Sequence, residues 1–318
     1  MIGVAGEWRY HGYHGARYNS FMPTLSSHFF RQLPGQLPKT NDMKKKSMPM
    51  RTGLIVVFTM LCIAAAVLLP AVPQSLEYHH FADQRDLLGI PNFLDVVSNV
   101  GFLIVGIAGL AIVFTGRARF EFKSERWPYA AFFLGALLTA LGSGYYHLAP
   151  DNESLFWDRL PMTIAFMGLV ASQIVDRINI RMGLALLVPM LLIGAASVIY
   201  WRATERAGVG NMLPYGVLQG YSVVIVLLLA VLSPSRYTRG NDLYWVFGWY
   251  VLSKLLESFD TEVLELLGGF VSGHTLKHLA AAIAGFIVCS MLLRRTLKEP
   301  DRERSSDASR TALNRPGF

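Results

Sequence analysis

Three histidines stand at the ends of apolar stretches, where their side chains could bind a metal ion together. His274 and His278 are four residues apart in SGHTLKHLAAA, so on a helix they share one face, about 6 Å apart. The third, His147, follows the apolar run AAFFLGALLTAL in GSGYYHL. Three imidazoles from two helices are a usual ligand set for catalytic zinc, which keeps a fourth position for water. A surface pair of histidines is the alternative, but polar residues within membrane helices are costly and usually functional.

Ser143 and Asp158 flank His147 at intervals that suit the handling of water in a hydrolytic reaction. Ser143 lies one helical turn before His147, so both side chains point the same way. Asp158 comes just before Pro161, and because Pro suits the first turn of a helix, we expect a new helix to begin there. The loop LAPDNESLFW would then return Asp158 to the metal, where it could accept a proton while Ser143 supports an oxyanion. The alternative for Asp158 is a helix-start carboxylate or a local partner of Arg159.

The composition is typical of a membrane protein. Of the 318 residues, 53% are hydrophobic and only 16% are charged. The apolar residues form blocks of roughly 16–22, about the length that a helix needs to cross a bilayer. The net charge of +7 lies in short loops and tails, without a basic face or a nucleic-acid-binding motif, so no nucleic-acid partner is expected. The composition therefore predicts an all-α, polytopic membrane protein and leaves its oligomeric state open.

Eight apolar segments are candidate membrane helices, and no soluble domain of useful size separates them. They comprise residues 53–72, 92–115, 128–148, 160–175, 182–201, 214–233, 243–258 and 273–293. Residues 1–50 have no apolar period and are expected to form a disordered cytoplasmic leader, with translation starting near Met43. The charged, Ser-rich tail, residues 299–318, is likewise expected to be disordered and cytoplasmic.

The charges between the segments predict the orientation in the membrane. Loops on the side of the N-terminus carry most of the Lys and Arg, whereas the opposite loops carry few of them. Positively charged loops stay in the cytoplasm, so both termini are expected to be cytoplasmic. His147, Asp158, His274 and His278 then gather at the external face, which is periplasmic or lumenal.

Two further polar groups interrupt apolar helices. Asp95, Ser98 and Asn99 form a stripe at positions i, i+3 and i+4, which serves either the site or hydrogen bonds between packed helices. Lys254 and Glu257 are three residues apart, and we interpret them as a self-neutralising structural pair.

Several short motifs of the chain resemble those of the alkaline ceramidase family. The resemblance rests on SGYYH, on the aspartate of FWDRLPM, on HTLKHLAAA and on the polar helix start FLDVVSN, and it covers residues 81–295. It implies seven core membrane helices around an intramembrane zinc site. Residues 53–72 would be an additional N-terminal helix, and residues 81–298 would form the seven-helix domain. The resemblance also implies hydrolysis of the amide of ceramide, or of a related N-acyl lipid, to a long-chain base and a free fatty acid.

The resemblance implies roles for five residues by position. His147, His274 and His278 would hold the zinc, and Asp158 and Ser143 would contact the water that it activates. Asp158 would accept a proton from this water and return it to the leaving amine.

The family also binds calcium, and here the chain departs from it. Animal members use an acidic, Trp-containing segment before the first core helix and a Glu near the start of that helix. The corresponding stretch FADQRDLLGIPN has Asp83 and Asp86 but no Trp and no Glu, and Asn92 stands where the Glu is expected. Calcium prefers oxygen ligands, which these three side chains still offer, so they are the candidate calcium residues.

A second class of function is compatible with the same residues. The wider superfamily includes adiponectin-receptor-like and haemolysin-like proteins, and its receptor-like members keep three histidines on this scaffold. A non-enzymatic receptor or transporter with a structural zinc is therefore the alternative to a hydrolase. Release of fatty acid from lipid amides distinguishes the two.

Overall fold

A computed structural model describes residues 50–299, and these residues form a bundle of α-helices. The helices are α1 (Met50–Leu68), α2 (Phe93–Ser98), α3 (Val100–Phe114), α4 (Arg126–Leu148), α5 (Asn152–Arg177), α6 (Ile180–Arg206), α7 (Leu213–Leu232), α8 (Asp242–Ser258), α9 (Asp260–Leu266) and α10 (Gly273–Arg294). This part of the chain contains two isolated β-bridges but no strand, which confirms the all-α prediction for it. The predicted leader and tail lie outside the described residues, except that Met50 begins α1 and Glu299 ends the described range.

Within residues 50–299, five helical segments are long and apolar enough to cross a membrane, fewer than the eight predicted. They are Met50–Leu68, Phe93–Phe114, Ile180–Arg206, Leu213–Leu232 and Gly273–Arg294. Large apolar side chains are exposed over much of the outer surface, and α1 buries none of its residues. Apolar surface on this scale is unusual where water is the solvent. The prediction of a membrane protein is supported by these helices.

The segment Phe93–Phe114 is broken where α2 meets α3. The side chains of Ser98 and Asn99 both donate to the carbonyl oxygen of Asp95, at 3.0 and 2.7 Å. The backbone N–H of Asn99 bonds instead to the oxygen of Val96, at 3.3 Å. Side chains that compete for a helix carbonyl in this way interrupt the regular pattern. As a result α2 is a separate turn that carries Asp95 and Ser98 into the buried interior.

The connection between α4 and α5 is shorter than predicted. Asp151 caps α5, because its Oδ1 accepts the N–H of Ser154 at 2.6 Å while the Ser154 Oγ accepts the N–H of Asp151 at 3.0 Å. This capping box starts the helix at Asn152, so Asp158 lies on the second turn of α5 and Pro161 lies inside the helix. The predictions that Pro161 opens the helix and that LAPDNESLFW is a loop are therefore wrong.

The helices α4 and α5 approach each other closely beside Asp158. A Cβ on Gly142 would lie 1.9 Å from the carbonyl oxygen of Trp157 and 3.3 Å from the backbone nitrogen of Asp158. Pro161 has no N–H, so it cannot bond to the Trp157 oxygen as the helical pattern requires. Only glycine at position 142 leaves room for this carbonyl, and the end of α4 is thereby brought next to Asp158.

Replacing Gly142 by alanine is expected to lower stability, because the new methyl group overlaps the Trp157 carbonyl. Overpacking of this kind costs about 1–3 kcal/mol. Gly144→Ala is the matched control, since a Cβ there meets no atom within 4 Å and alanine is the better helix former by up to about 1 kcal/mol. Unfolding of both variants in detergent measures the difference. Equal stability of the two variants would contradict the close approach.

Candidate metal centre

Three buried imidazoles meet where α4 ends and α10 begins. His147 lies on the last turn of α4, and His274 and His278 lie on the first two turns of α10. Their exposed fractions are 1%, 4% and 2%, and their ligand atoms all lie within 4.8 Å of one another. Within residues 50–299, no other group of three or more His, Cys, Asp or Glu side chains has this geometry. The three histidines predicted from the sequence are thus brought together as a group that can hold a metal ion.

The hydrogen bonds of the described residues leave one ring nitrogen each of His147 and His278 available to a metal. The Ser98 hydroxyl donates to the Asp95 oxygen, so its contact of 2.7 Å with His278 Nδ1 is one in which it accepts. His278 then carries its proton on Nδ1 and has a lone pair on Nε2. His147 Nδ1 is buried and has no hydrogen-bond partner in the described part of the chain. A buried imidazole nitrogen without a partner fits a metal ligand. The polar stripe on the second apolar segment therefore orients the site through Ser98.

The first turn of α10 is held by hydrogen bonds to its backbone. Ser272 caps the helix by accepting the N–H of Thr275 at 3.0 Å. Asp260 accepts the N–H of His274 at 2.6 Å through Oδ1 and the N–H of Ala82 at 2.9 Å through Oδ2. The Asp260 carboxylate thus ties the loop before α2 to the turn that carries His274, a role that the sequence did not indicate.

Phe81 covers the histidine group from the side of that loop. Its ring centroid lies 4.7 Å from that of His147 and 4.6 Å from that of His274, and the side chain is 5% exposed. The loop is anchored by Arg85, which donates to the carbonyl oxygen of Phe270 at 2.8 Å. An apolar ring in this position limits the access of water to the imidazoles. Sequence reasoning missed Phe81 because a single aromatic residue in a loop carries no spacing signal.

Ser143 and Asp158 line a cavity of about 180 Å³ that His278 also lines. Ser143 is buried, and Asp158 is half-buried. The cavity therefore brings both predicted water-handling residues to the same space as one predicted metal ligand. Its wall also includes further polar side chains, namely Tyr78, Thr139, Arg159, Tyr215, Gln219, Tyr250, Ser253, Lys254, Glu257 and Lys277.

A cluster of charges on this wall is centred on Glu257. Lys277 Nζ lies 2.7 Å from Glu257 Oε1 and 3.1 Å from His274 Nε2. Lys254 pairs with the same carboxylate, as the sequence predicts, and the Tyr78 hydroxyl donates to it at 3.0 Å. Lys277 was not predicted to belong to the site. The available signal was its position between two candidate ligands, one helical turn from His274.

A second cavity, of about 170 Å³ and almost wholly apolar, adjoins the first. Its walls include Phe132, Ala136, Phe166 and Val226. The two cavities share lining residues, namely Phe102, Thr139, Met162, Tyr250 and Ala281. The polar cavity beside the histidines thus adjoins an apolar cavity inside the bundle. This arrangement suits a ligand with a polar head group and an apolar chain.

The three candidate calcium residues lie in separate environments. Both carboxylate oxygens of Asp83 accept hydrogen bonds from the Arg85 side chain, at 2.7 and 2.6 Å, and these bonds lower the pKa of Asp83. Asn92 Nδ2 donates to the carbonyl oxygen of His147 at 2.8 Å, and Asp86 is exposed. Asp83 and Asn92 thus already have protein partners, and a calcium site at these three residues stays a prediction.

Comparisons of the chain with protein-family models, with curated proteins and with solved structures find no match. The resemblance to alkaline ceramidases therefore depends on the motifs that contain Ser143, His147, Asp158, His274 and His278. Support for a function comes from the geometry of these residues and of the two cavities.

Proposed function

We propose that this protein is a zinc-dependent intramembrane hydrolase that cleaves the amide bond of ceramide or a related lipid amide. The products would be a long-chain base and a free fatty acid. The observation that carries the proposal is the polar cavity, which joins Ser143, Asp158 and His278 and adjoins an apolar cavity. A site suited to hydrolysis thus lies next to a space suited to a lipid chain.

The seven-helix core that the resemblance implies is part of this proposal. The core would consist of α2 with α3 as one span, followed by α4, α5, α6, α7, α8 and α10. The additional N-terminal helix would be α1, which packs against α7 with the ring of Phe58 stacked on that of Tyr221 at 5.8 Å. With both termini in the cytoplasm, as the positive loops favour, the end of the bundle with the histidines would face the external side.

Zinc is the metal that we propose for the three histidines. Neutral imidazoles suit this ion, and three protein ligands leave one position for a reactant. When bound, zinc supplies Lewis acidity, which polarises a carbonyl group and lowers the pKa of water to roughly 7. The buried His147 Nδ1 and the unprotonated Nε2 of His278 support this assignment, because both nitrogens suit a metal ligand.

Asp158 would act first as a general base and then as a general acid. Its carboxylate takes a proton from the attacking water and passes it to the amide nitrogen as the C–N bond breaks. Ser143 would position this water or donate its hydroxyl hydrogen to the oxyanion that forms at the carbonyl carbon. Both side chains line one cavity, so a single bound amide can contact both.

Selection of the substrate would depend on the polar head group of the lipid and on its amide. A methylene group is worth about 0.8 kcal/mol when it leaves water, but a chain that moves from lipid into the apolar cavity leaves no water. The chain therefore contributes little to discrimination, and the polar cavity decides which lipids react.

Fatty-acid release by the detergent-purified full chain, measured over a panel of ceramides and other lipid amides, tests this proposal. We expect equal amounts of fatty acid and amine from at least one lipid of the panel. A receptor or transporter with a structural zinc would bind zinc yet release no fatty acid from any of them, and this result would contradict the proposal.

A further inference from the structure

Arg159 carries a buried guanidinium on α5. The residue is 4% exposed, and none of the ion pairs within residues 50–299 includes it. Its Nη2 donates to Gln74 Oε1 at 2.6 Å, whereas Nη1 is buried and has no hydrogen-bond partner in the same part of the chain. A buried charge with an unused donor is unfavourable unless a ligand completes its interactions.

Aromatic rings hold this guanidinium in place. Its central carbon lies 4.7 Å from the ring centroid of Trp201, 5.1 Å from that of Tyr215 and 5.4 Å from that of Tyr78. Ring faces attract a cation, but they do not replace an oxygen acceptor for its N–H groups. The side chain is therefore positioned before any ligand arrives, and Nη1 is left for an acceptor.

Most of the other arginines on α5 and α6, or packed against these helices, form ion pairs with carboxylates. The pairs are Arg177 with Asp176, Arg202 and Arg206 with Glu153, and Arg236 with Glu121 and Glu125. Arg295, near the other end of α10, resembles Arg159 in being buried without an ion pair among the described residues. It donates to the Arg119 oxygen and the Tyr129 hydroxyl, and its Nη2 also has no partner there. Arg159 differs from Arg295 because it lines the cavity that contains Asp158 and Ser143.

The charged groups of this cavity have an excess of positive charge. Arg159, Lys254 and Lys277 supply three cations, and Asp158 and Glu257 supply two carboxylates. Glu257 pairs with both lysines, and within residues 50–299 no ion pair joins Arg159 to either carboxylate. An anion is the ligand that would balance the charge and use the free donor, and Arg binds carboxylate and phosphate groups strongly.

We propose that Arg159 determines specificity by binding an anionic group, a carboxylate or a phosphate, on the amine side of the lipid amide. The inference rests on the proposed hydrolase function and narrows its substrate class to acidic N-acyl lipids, such as N-acyl amino acids or phosphorylated ceramides. Hydrolysis adds water across the C–N bond, so the anionic group stays on the amine product and the fatty acid leaves without it. A neutral ceramide offers Nη1 only hydroxyl and carbonyl oxygens, which bind a guanidinium more weakly than an anion does.

Two pairs of lipids that differ in charge test the inference on the purified full chain. The first pair is an N-acylglycine and its uncharged glycinamide analogue, and the second is a phosphorylated ceramide and ceramide. We expect kcat/KM to be at least about tenfold higher for the charged member of one pair. The pair that shows this difference tells whether the anionic group is a carboxylate or a phosphate. Arg159→Gln should reduce this preference at least about tenfold, and Arg159→Lys should keep more of it. Arg202→Gln is the matched control, because Arg202 already forms an ion pair with Glu153. The preference of this variant for the charged lipid should equal that of the unchanged protein.

The outcomes separate the inference from the proposed function. Equal rates within both pairs, or an unchanged preference in Arg159→Gln, would overturn the role of Arg159 and leave the hydrolase in place. Release of fatty acid from none of the four lipids would contradict the hydrolase. The inference would then be decided by the rise in Tm on addition of each lipid, which should be larger for a charged lipid and lost in Arg159→Gln. A rise that is equal for charged and neutral lipids would overturn it.

Discussion

Replacing His278 by alanine is expected to abolish both bound zinc and amide hydrolysis. His278 is the only member of the group whose ring is oriented by a side-chain hydroxyl, that of Ser98, among the described residues. Loss of a residue that merely orients a ligand costs about 10–100-fold in metal affinity or activity, so loss of the ligand itself should cost more. Zinc content by elemental analysis and fatty-acid release, measured on the same preparation, give the result.

His80→Ala is the matched control for this change. His80 is exposed and pairs with Glu77 in the loop before α2, so its removal should leave zinc content and hydrolysis unchanged. Full activity of His278→Ala would contradict the proposed centre. Loss of zinc in His80→Ala would show that the metal is bound elsewhere.

Asp158→Asn is expected to keep the zinc and to lose turnover. The amide preserves the shape of the side chain but cannot accept the proton of the attacking water. Removing a general base or acid costs on the order of 10²–10⁴-fold in kcat, with a smaller effect on KM because the cavity walls remain. Steady-state kinetics and zinc content of the variant test both parts of this result.

Glu265→Gln is the control for Asp158→Asn, because Glu265 is an exposed carboxylate on α9. Its kinetics should match those of the unchanged protein. If Asp158→Asn loses its zinc, the carboxylate is a ligand, and the proton must be taken by another group. If the variant keeps full turnover, Asp158 has no part in the chemistry.

Spacing along single helices predicted the pairs within the candidate metal centre, and the charges of the loops placed His147 at the same end as His274 and His278. His274 and His278 share a face because they are four residues apart, and Ser143 shares a face with His147 for the same reason. The apolar segments predicted the bounds of most helices to within a few residues, although in the described part of the chain only five are long and apolar enough to cross a membrane. Helical spacing and apolar runs lie within short stretches of sequence, so a single sequence is enough to recognise them.

Contacts between distant segments could not be predicted in this way. Phe81 covers the histidines from a loop, Asp260 joins that loop to α10, and Lys277 reaches Glu257 across a helix interface. Each depends on how separate helices pack, and none has a periodic signal. The start of α5 was mispredicted for a different reason. Pro161 is typical of the first turn of a helix, but the capping box of Asp151 and Ser154 begins the helix earlier in the sequence.

The most direct test of the central claim is the dependence of hydrolysis on zinc. The protein is stripped of metal with a chelator, zinc is added back in steps, and bound zinc and fatty-acid release from a lipid amide are measured at each step. We predict that release is lost with the metal and returns in proportion to bound zinc. Undiminished release from the metal-free protein, or no release from the zinc-loaded protein, would contradict a zinc-dependent hydrolase.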